Sequence, residues 1–436
     1  MTPVQQKEPT SYRFFVLLML FIVYTFNYLD RQIISILAVP IQQELDLSDT
    51  QLGLMGGFAF ALFYSALGVP IARFADRLNR SWIIAGSLTL WSSFTALCGL
   101  ATGFWQLFLA RLGVGVGEAG GVAPSFSMIS DYFPQSQRAR ALAAFTLALP
   151  VGTAAGLYIG GQLAVEYGWR TAFLVLGLAG VIIAPFFLLI VREPERGRYD
   201  PKRLVTDTGQ ASFKDVCKVV LPKASFWYLS LGSGVASMLS YGLAFWLPAY
   251  VQRSLELDLS DTSKFLASAA LIGGTMGIIL GGLLGDYLGK KDRGAYGRIP
   301  AVAFMIAMPF MLGAMATSNL WLVFFLLLVP QAMGLVWAPP SVAAIQQIAP
   351  AHMRATASAI YLLITNLIGL GAGTVLFGVI SDILTAQYGG EALRYSIVIC
   401  CLTLYPAVII LYLLAARNLK RDEQLDETSA YAQATT

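Results

Sequence analysis

Four ionisable residues stand in stretches that are otherwise apolar. Asp30 and Arg31 occur in Tyr24-Thr-Phe-Asn27-Tyr-Leu-Asp30-Arg31-Gln32, and Arg111 and Glu118 in Arg111-Leu-Gly-Val-Gly-Val-Gly-Glu118-Ala-Gly-Gly. Arginine keeps its charge and presents a planar fork that fits phosphate or carboxylate, so Arg31 and Arg111 are candidates to hold an anionic headgroup. A buried carboxylate trades between an arginine partner and a proton. Asp30 and Glu118 are therefore candidates to gain or lose a proton when a substrate displaces them from arginine. Asn27 and Arg31, four apart, share a helical face, and Arg111 and Glu118, seven apart, share another.

These residues need elements that can carry them. Of 436 residues, 57% are hydrophobic and 12% charged, and mean hydropathy is +0.67; soluble domains carry about a quarter charged residues. Apolar stretches of roughly 20 residues, long enough to cross a bilayer core, recur along the chain. The chain reads as an all-α integral membrane protein with spans near 14-39, 51-72, 81-102, 104-132, 141-166 and 169-191. Six more follow near 225-250, 264-288, 299-317, 319-347, 356-384 and 394-416. The domains expected are a six-helix bundle over 1-191, a polar linker over 192-224, a second bundle over 225-416 and a tail over 417-436. The first apolar run is too long for a cleaved leader and carries Asp30-Arg31 near its end, so a retained helix is expected.

Of the 29 Lys and Arg, only Arg170, Arg253, Lys264 and Arg394 fall in alternate loops on one side, and Arg31 and Arg111 lie within helices. The rest gather on the other side, which the positive-inside rule assigns, with both termini, to the cytoplasm. An ionisable residue within a span costs about 2.5 to 3.5 kcal/mol on insertion scales, so its default reading is functional. Rise per residue puts Glu118 at the centre of its helix, Arg111 about 10 Å outward and Asp30 and Arg31 about 6 to 8 Å outward. The four make one layer of zero net charge.

The halves repeat. Ala72-Arg-Phe-Ala-Asp76-Arg77-Leu-Asn79-Arg80 follows the second helix, and Gly282-Leu-Leu-Gly-Asp286-Tyr-Leu-Gly289-Lys290-Lys291 follows the eighth. With this duplicated loop the chain resembles the major facilitator superfamily, whose form is G-x-x-x-D-R-x-G-R-K; Ala72, Asn79 and Tyr287 depart from it. The resemblance implies two six-helix bundles with pseudo-two-fold symmetry. Asp76, Arg77, Arg80 and Asp286 become candidates for conformational gating, able to pair across the bundle interface and favour an outward-open state. Gly152-x3-Gly156-Leu-Tyr-Ile-Gly160-Gly161 is similar to the family's fifth-helix glycine motif, with Leu157 where proline is common; close helix packing is the simpler reading.

The first-helix and fourth-helix motifs, with Tyr167-Gly-Trp-Arg170-Thr-Ala-Phe, resemble the Spinster branch of that superfamily. This implies transport of lysolipids or sphingolipids, sphingosine-phosphate-like substrates included, with proton coupling in some members. Organic-anion symporters of the same superfamily share the Asp-Arg pair of the first helix and remain the alternative, and a passive lipid facilitator is a third reading. The second half has no intramembrane charge, so apolar and aromatic walls are expected there. Tyr241, Phe245, Trp246, Trp337, Tyr361 and Asn366 join Asn27, Arg31 and Arg111 as substrate-binding candidates, suited to an amphipathic anion with its head on the arginines. The expected partners are the bilayer, that substrate and protons, for a monomer in a bacterial inner (plasma) membrane.

Other features carry less. Cys98, Cys217, Cys400 and Cys401 have no paired spacing, and His352, the only histidine, reads as a loop residue; no metal or cofactor is expected. Gly113-x-Gly115-x-Gly117 lies inside a membrane helix rather than after a strand, which argues against nucleotide binding. No nucleophile-base-orienter set points to an enzyme, and nothing points to a nucleic-acid partner.

Overall fold

A computed structural model describes residues 10-75, 77-199, 213-289, 292-350 and 353-434, and these are helical nearly throughout. In chain order the helices are α1 (Thr10–Ile36), α2 (Ala38–Leu45), α3 (Asp49–Gly53), a π turn (Leu54–Phe58), α4 (Ala59–Ala75), α5 (Arg80–Cys98), α6 (Phe104–Glu118), α7 (Val122–Tyr132), α8 (Gln135–Thr146) and α9 (Ala148–Ile190). There follow α10 (Phe213–Val220), α11 (Ala224–Ser254), α12 (Leu259–Gly289), α13 (Ala295–Met315), α14 (Leu320–Val336), α15 (Ala338–Ile348), α16 (Arg354–Tyr388), a 3-10 turn (Gly389–Glu391) and α17 (Ala392–Ala434).

Twelve spans emerge because several apolar runs are interrupted or fused. The fourth span is α6 and α7, separated at Gly120-Gly121, where the expected continuous helix over 104-132 breaks. The tenth is likewise α14 and α15, meeting at Trp337. Conversely, α9 holds the fifth and sixth spans, which turn at Gly168, whose φ of 82° belongs to the left-handed region that glycine tolerates. Helix α17 runs on to Ala434, well past the end of its apolar stretch.

The spans form two bundles. In the first, α9 packs against α1 and α5, and α6 against α4 and α5; in the second, α11 packs against α16 and α17, and α13 and α14 pack together. Two seams join them, α9 with α12 and the segment from α3 to α4 with α16. Side chains facing neighbouring helices are buried, whereas large apolar residues such as Trp105, Leu189 and Trp321 are 70%, 80% and 75% exposed. A surface of that kind requires lipid.

Candidate functional site

Position within the first bundle comes from close helix approach. A Cβ on Gly115 would lie 2.6 Å from the Phe60 carbonyl oxygen, and one on Gly117 2.5 Å from the Trp91 amide nitrogen, so only glycine lets α6 sit so near α4 and α5. The glycines before Glu118 thus clear room for it at the bundle centre. On the other side of α1, Gly152 and Gly156 of α9 lie against the backbone of Thr25 and Leu29. The fifth-helix glycine motif therefore acts in packing, next to the charged turn of α1.

Glu118 is fully buried, and its Oε2 accepts two hydrogen bonds of 2.8 Å, from Asn27 Nδ2 and from Arg31 Nε. The face shared by Asn27 and Arg31 thus ends on one carboxylate oxygen, while Oε1 has no protein partner. The Arg31 guanidinium lies over Phe60, Tyr64 and Tyr28, with its carbon 4.6, 5.0 and 5.2 Å from the ring centres. Those ring faces stabilise the cation where water is scarce. Arg111, 1% exposed, donates from Nη1 to the Asp30 carbonyl oxygen at 3.3 Å, and its Nε is unpaired. The Asp30 carboxylate is buried with neither oxygen hydrogen-bonded, beside Thr95 and Trp91, whose hydroxyl and indole N–H also lack partners. The four charges do converge, with Arg31 and Glu118 as an ion pair and Arg111 meeting Asp30 through its backbone carbonyl rather than through a carboxylate hydrogen bond.

Beside this cluster lies a chamber of about 40 Å³, lined by Arg31, Arg111, Tyr28, Gln32, Tyr241 and Phe245 among others. It shares the walls Tyr28, Gln32, Tyr241 and Ala244 with a cavity of about 300 Å³ between the bundles. That larger cavity is bounded mainly by α11, α14 and α16, and Trp337, Tyr361 and Asn366 line it. Two candidates stand elsewhere. Asn27 serves Glu118 rather than either cavity. Trp246 is fully buried and donates its indole N–H to the Thr374 carbonyl at 2.8 Å, so it ties α11 to α16.

Among the gating candidates, Arg80 is buried at the face carrying the termini. Its Nε donates to Glu193, at the start of the linker, at 2.7 Å and its Nη1 to Asp131 at 2.6 Å and Ser127 at 2.7 Å within the first bundle, so none of these contacts crosses to the second. Asn79 caps α5, accepting from the Trp82 amide, which gives a local use for asparagine where the loop motif has glycine. Arg77 is exposed. Asp76 and His352 lie outside the described residues, and Asp286 is described only as backbone of α12.

Sequence reasoning missed the polar network on the opposite face. Asp49, 4% exposed, accepts from Arg253 Nη1 and Nη2 at 2.9 Å and from Ser381 at 2.6 Å, while Asp382 accepts from the backbone N–H of Asp49 and Thr50. Gln162 donates to Ser260 and Ser263 across the other seam. These contacts close the bundles against each other on that face. Their partners are far apart in the chain, and the one local signal, the Ser48/Gln51 capping box at α3, marks a helix start rather than a seam. The Trp169-Arg170 motif is also explained here: both side chains bind Glu44 at the end of α2.

An "MFS-type efflux pump" of Mycolicibacterium smegmatis is 33% identical over 398 residues, covering 91% of each chain. A "Probable galactarate/D-glucarate transporter" of Bacillus subtilis is 30% identical over 350 residues, covering 74% of this chain and 75% of its own. A crystal structure of a bacterial homologue of the human lysosomal transporter Spinster, in an inward-facing and unoccupied conformation, superposes with a TM-score of 0.83 at 29% identity, covering 95% of this chain and 99% of that one. The model for the Major Facilitator Superfamily matches residues 20–374, and the chain belongs to that superfamily of membrane transporters, as a relative of Spinster and of organic-anion carriers.

Proposed function

We propose that the protein is a proton-coupled transporter of an amphipathic anion, a lysophospholipid or sphingosine-phosphate-like molecule, working by alternating access. The observation that carries this reading is the shared wall between the arginine chamber and the larger, mainly apolar cavity. An anionic head fits the first, against Arg31 and Arg111, and a chain fits the second. Glu118 supplies the coupling. An anion that engages Arg31 draws it from Glu118, and a buried carboxylate left without its cation neutralises itself by taking up a proton. Asp30, already without a hydrogen-bonding partner, is a second proton site. The Asp49–Arg253 network closes the face away from the termini, and the charge count assigns both termini to the cytoplasm of a bacterial inner membrane. The seam is therefore the outer gate, and the arrangement is inward-facing, as in the Spinster homologue. Transport direction follows the mycobacterial relative's name, outward. By analogy of position, Asp76, Arg77 and Asp286 serve the inner gate, with Arg80 bracing its loop.

A second reading, transport of small organic anions, is favoured by the galactarate/glucarate carrier. One assay separates them. Proteoliposomes with an imposed pH gradient are given labelled lysophosphatidic acid or a panel of hydroxy-dicarboxylates, and wild type is compared with Glu118→Gln and Arg111→Ala. Gradient-driven movement of the lipid in wild type, its loss in Glu118→Gln, and weakened uptake by Arg111→Ala are the outcomes expected. Movement of the dicarboxylates alone would transfer the protein to the second reading, and transport indifferent to the gradient would make it a passive facilitator.

A further inference from the structure

The second bundle contains a hydroxyl ladder where only apolar and aromatic walls were expected. Ser230, Ser233, Ser237 and Ser240 recur on α11 at spacings of three and four, one face of a helix. Opposite them on α16 stand Tyr361 and Thr365, four apart. At the base Ser230 Oγ is buried without a partner, away from either cavity, but the middle rungs are satisfied within the protein: Tyr361 donates to Ser233 at 2.7 Å, Ser233 pairs with the Tyr412 hydroxyl at 2.9 Å, and Tyr412 pairs with Ser341 at 2.9 Å. The upper rungs are not. Ser240 Oγ is buried without a hydrogen-bonding partner, and buried Thr365 Oγ1 meets only the Tyr361 hydroxyl, whose proton goes to Ser233; both residues line the larger cavity.

Serine and threonine in membrane helices usually satisfy themselves by donating to the carbonyl one turn back. Several hydroxyls of this bundle follow that habit: Ser268, Ser341, Thr385 and Thr403 donate to residues 264, 337, 381 and 399 at 2.7 to 2.9 Å, whereas Ser230, Ser254 and Ser358, none of them on the larger cavity, do not. Ser240 and Thr365 depart from it at the cavity wall, on two different helices. Thr365 is only 3% exposed, so bulk water does not serve its hydroxyl, and a buried hydroxyl without a partner is destabilising. The Tyr361 hydroxyl nearby is committed to Ser233. The same cavity reaches Gln32, next to Arg31 in the chain, so a ligand held at the arginines extends directly past these groups.

We infer that Ser240 and Thr365 form a second, uncharged subsite that takes a neutral hydrogen-bonding group of the substrate, a hydroxyl or an amide, lying between its anionic head and its chain. This rests on the amphipathic-anion reading and narrows it: a simple alkyl phosphate would leave the subsite unfilled, whereas a glycerol- or amino-alcohol-based phosphate would fill it.

The test uses the full chain in lipid nanodiscs and two probes of equal chain length. One is 1-acylglycerol 3-phosphate, and the other is its 2-deoxy counterpart, 1-acylpropane-1,3-diol 3-phosphate. Wild type is expected to bind the hydroxylated probe about five-fold more tightly, the scale of one net hydrogen bond. Thr365→Val, which keeps the side-chain shape, and Ser240→Ala are each expected to bring the ratio towards one; should one variant fail to fold, the other, on a different helix, carries the same readout. Equal binding of both probes by wild type overturns the subsite and leaves the amphiphile reading standing. Variants that weaken both probes by one factor also overturn it, as packing defects would. Binding of neither probe by wild type removes the amphiphile reading itself, and the subsite with it.

Discussion

The interior of the first bundle is ionic and that of the second is neutral, and the two manage buried polarity differently. Around α1 and α6, Arg31, Asn27 and Glu118 share one carboxylate oxygen, with Asp30 and Arg111 alongside incompletely paired. Around α11, α16 and α17, hydroxyls bond to one another without charge. A carboxylate can exchange a proton, whereas an aliphatic or phenolic hydroxyl stays neutral across the physiological range. Under the proposed coupling, the response to pH belongs to one half, while the other half supplies shape and neutral contacts.

The contrast can be broken hardest at the ion pair. Arg31→Met leaves Glu118 buried beside Asn27 alone, and we expect a loss of about 3 kcal/mol in unfolding stability, the scale for stranding a buried charge. Denaturant titration in detergent micelles at neutral pH would register it. Arg31→Met combined with Glu118→Gln should recover most of that loss; a double variant as unstable as the single one would mean that packing on Phe60 and Tyr64 matters more than charge. The hydroxyl network offers the neutral counterpart. Tyr361→Phe removes one bond to Ser233 but keeps the ring, so about 1 kcal/mol is expected. Its loss should be the same at pH 5 and pH 8, and a pH-dependent difference would erase the distinction between the halves.

The smallest effect lies outside the spans. The Trp169 indole and Arg170 guanidinium hold the Glu44 carboxyl below its ordinary value of 4.5. A depressed folded-state value means that the contribution is present above 4.5 and lost as pH falls through the lowered value. Because Glu44 is half exposed, no more than about 0.5 kcal/mol is expected. Wild type and Glu44→Gln should thus differ slightly at pH 7 and converge as pH falls through the lowered value; a gap that widens in acid would reverse the sign.

How much of this could be read from the chain differed with the physics involved. Spans follow from apolar length, and the four charges stand out because membranes penalise them, so both were visible. The hydroxyls of Ser240 and Thr365 were not, because serine and threonine pass as neutral filler in an apolar run and only their lack of a carbonyl partner sets them apart. Arg80 was noticed as part of a loop motif, yet its partners Asp131 and Glu193 come from α7 and from the segment after α9, and only packing brings them together. Trp246 illustrates the opposite error: an aromatic beside a cavity residue in sequence faces away from it in space.

The interruption of the fourth span has a mechanical consequence. Glu118 is the last residue of α6, and the chain loosens at Gly120-Gly121 before α7 begins. In the second bundle the backbone of the equivalent span stays helical at Trp337, on the wall of the larger cavity, but its hydrogen-bond ladder is interrupted because Pro339 and Pro340 carry no amide hydrogen. Each bundle therefore has a joint at about the depth where a ligand would sit, with a short lever, α7 or α15, on the side of the termini. Swinging those levers would change access on that side without displacing the carboxylate, so the chemistry stays on the stator while the passage opens around it.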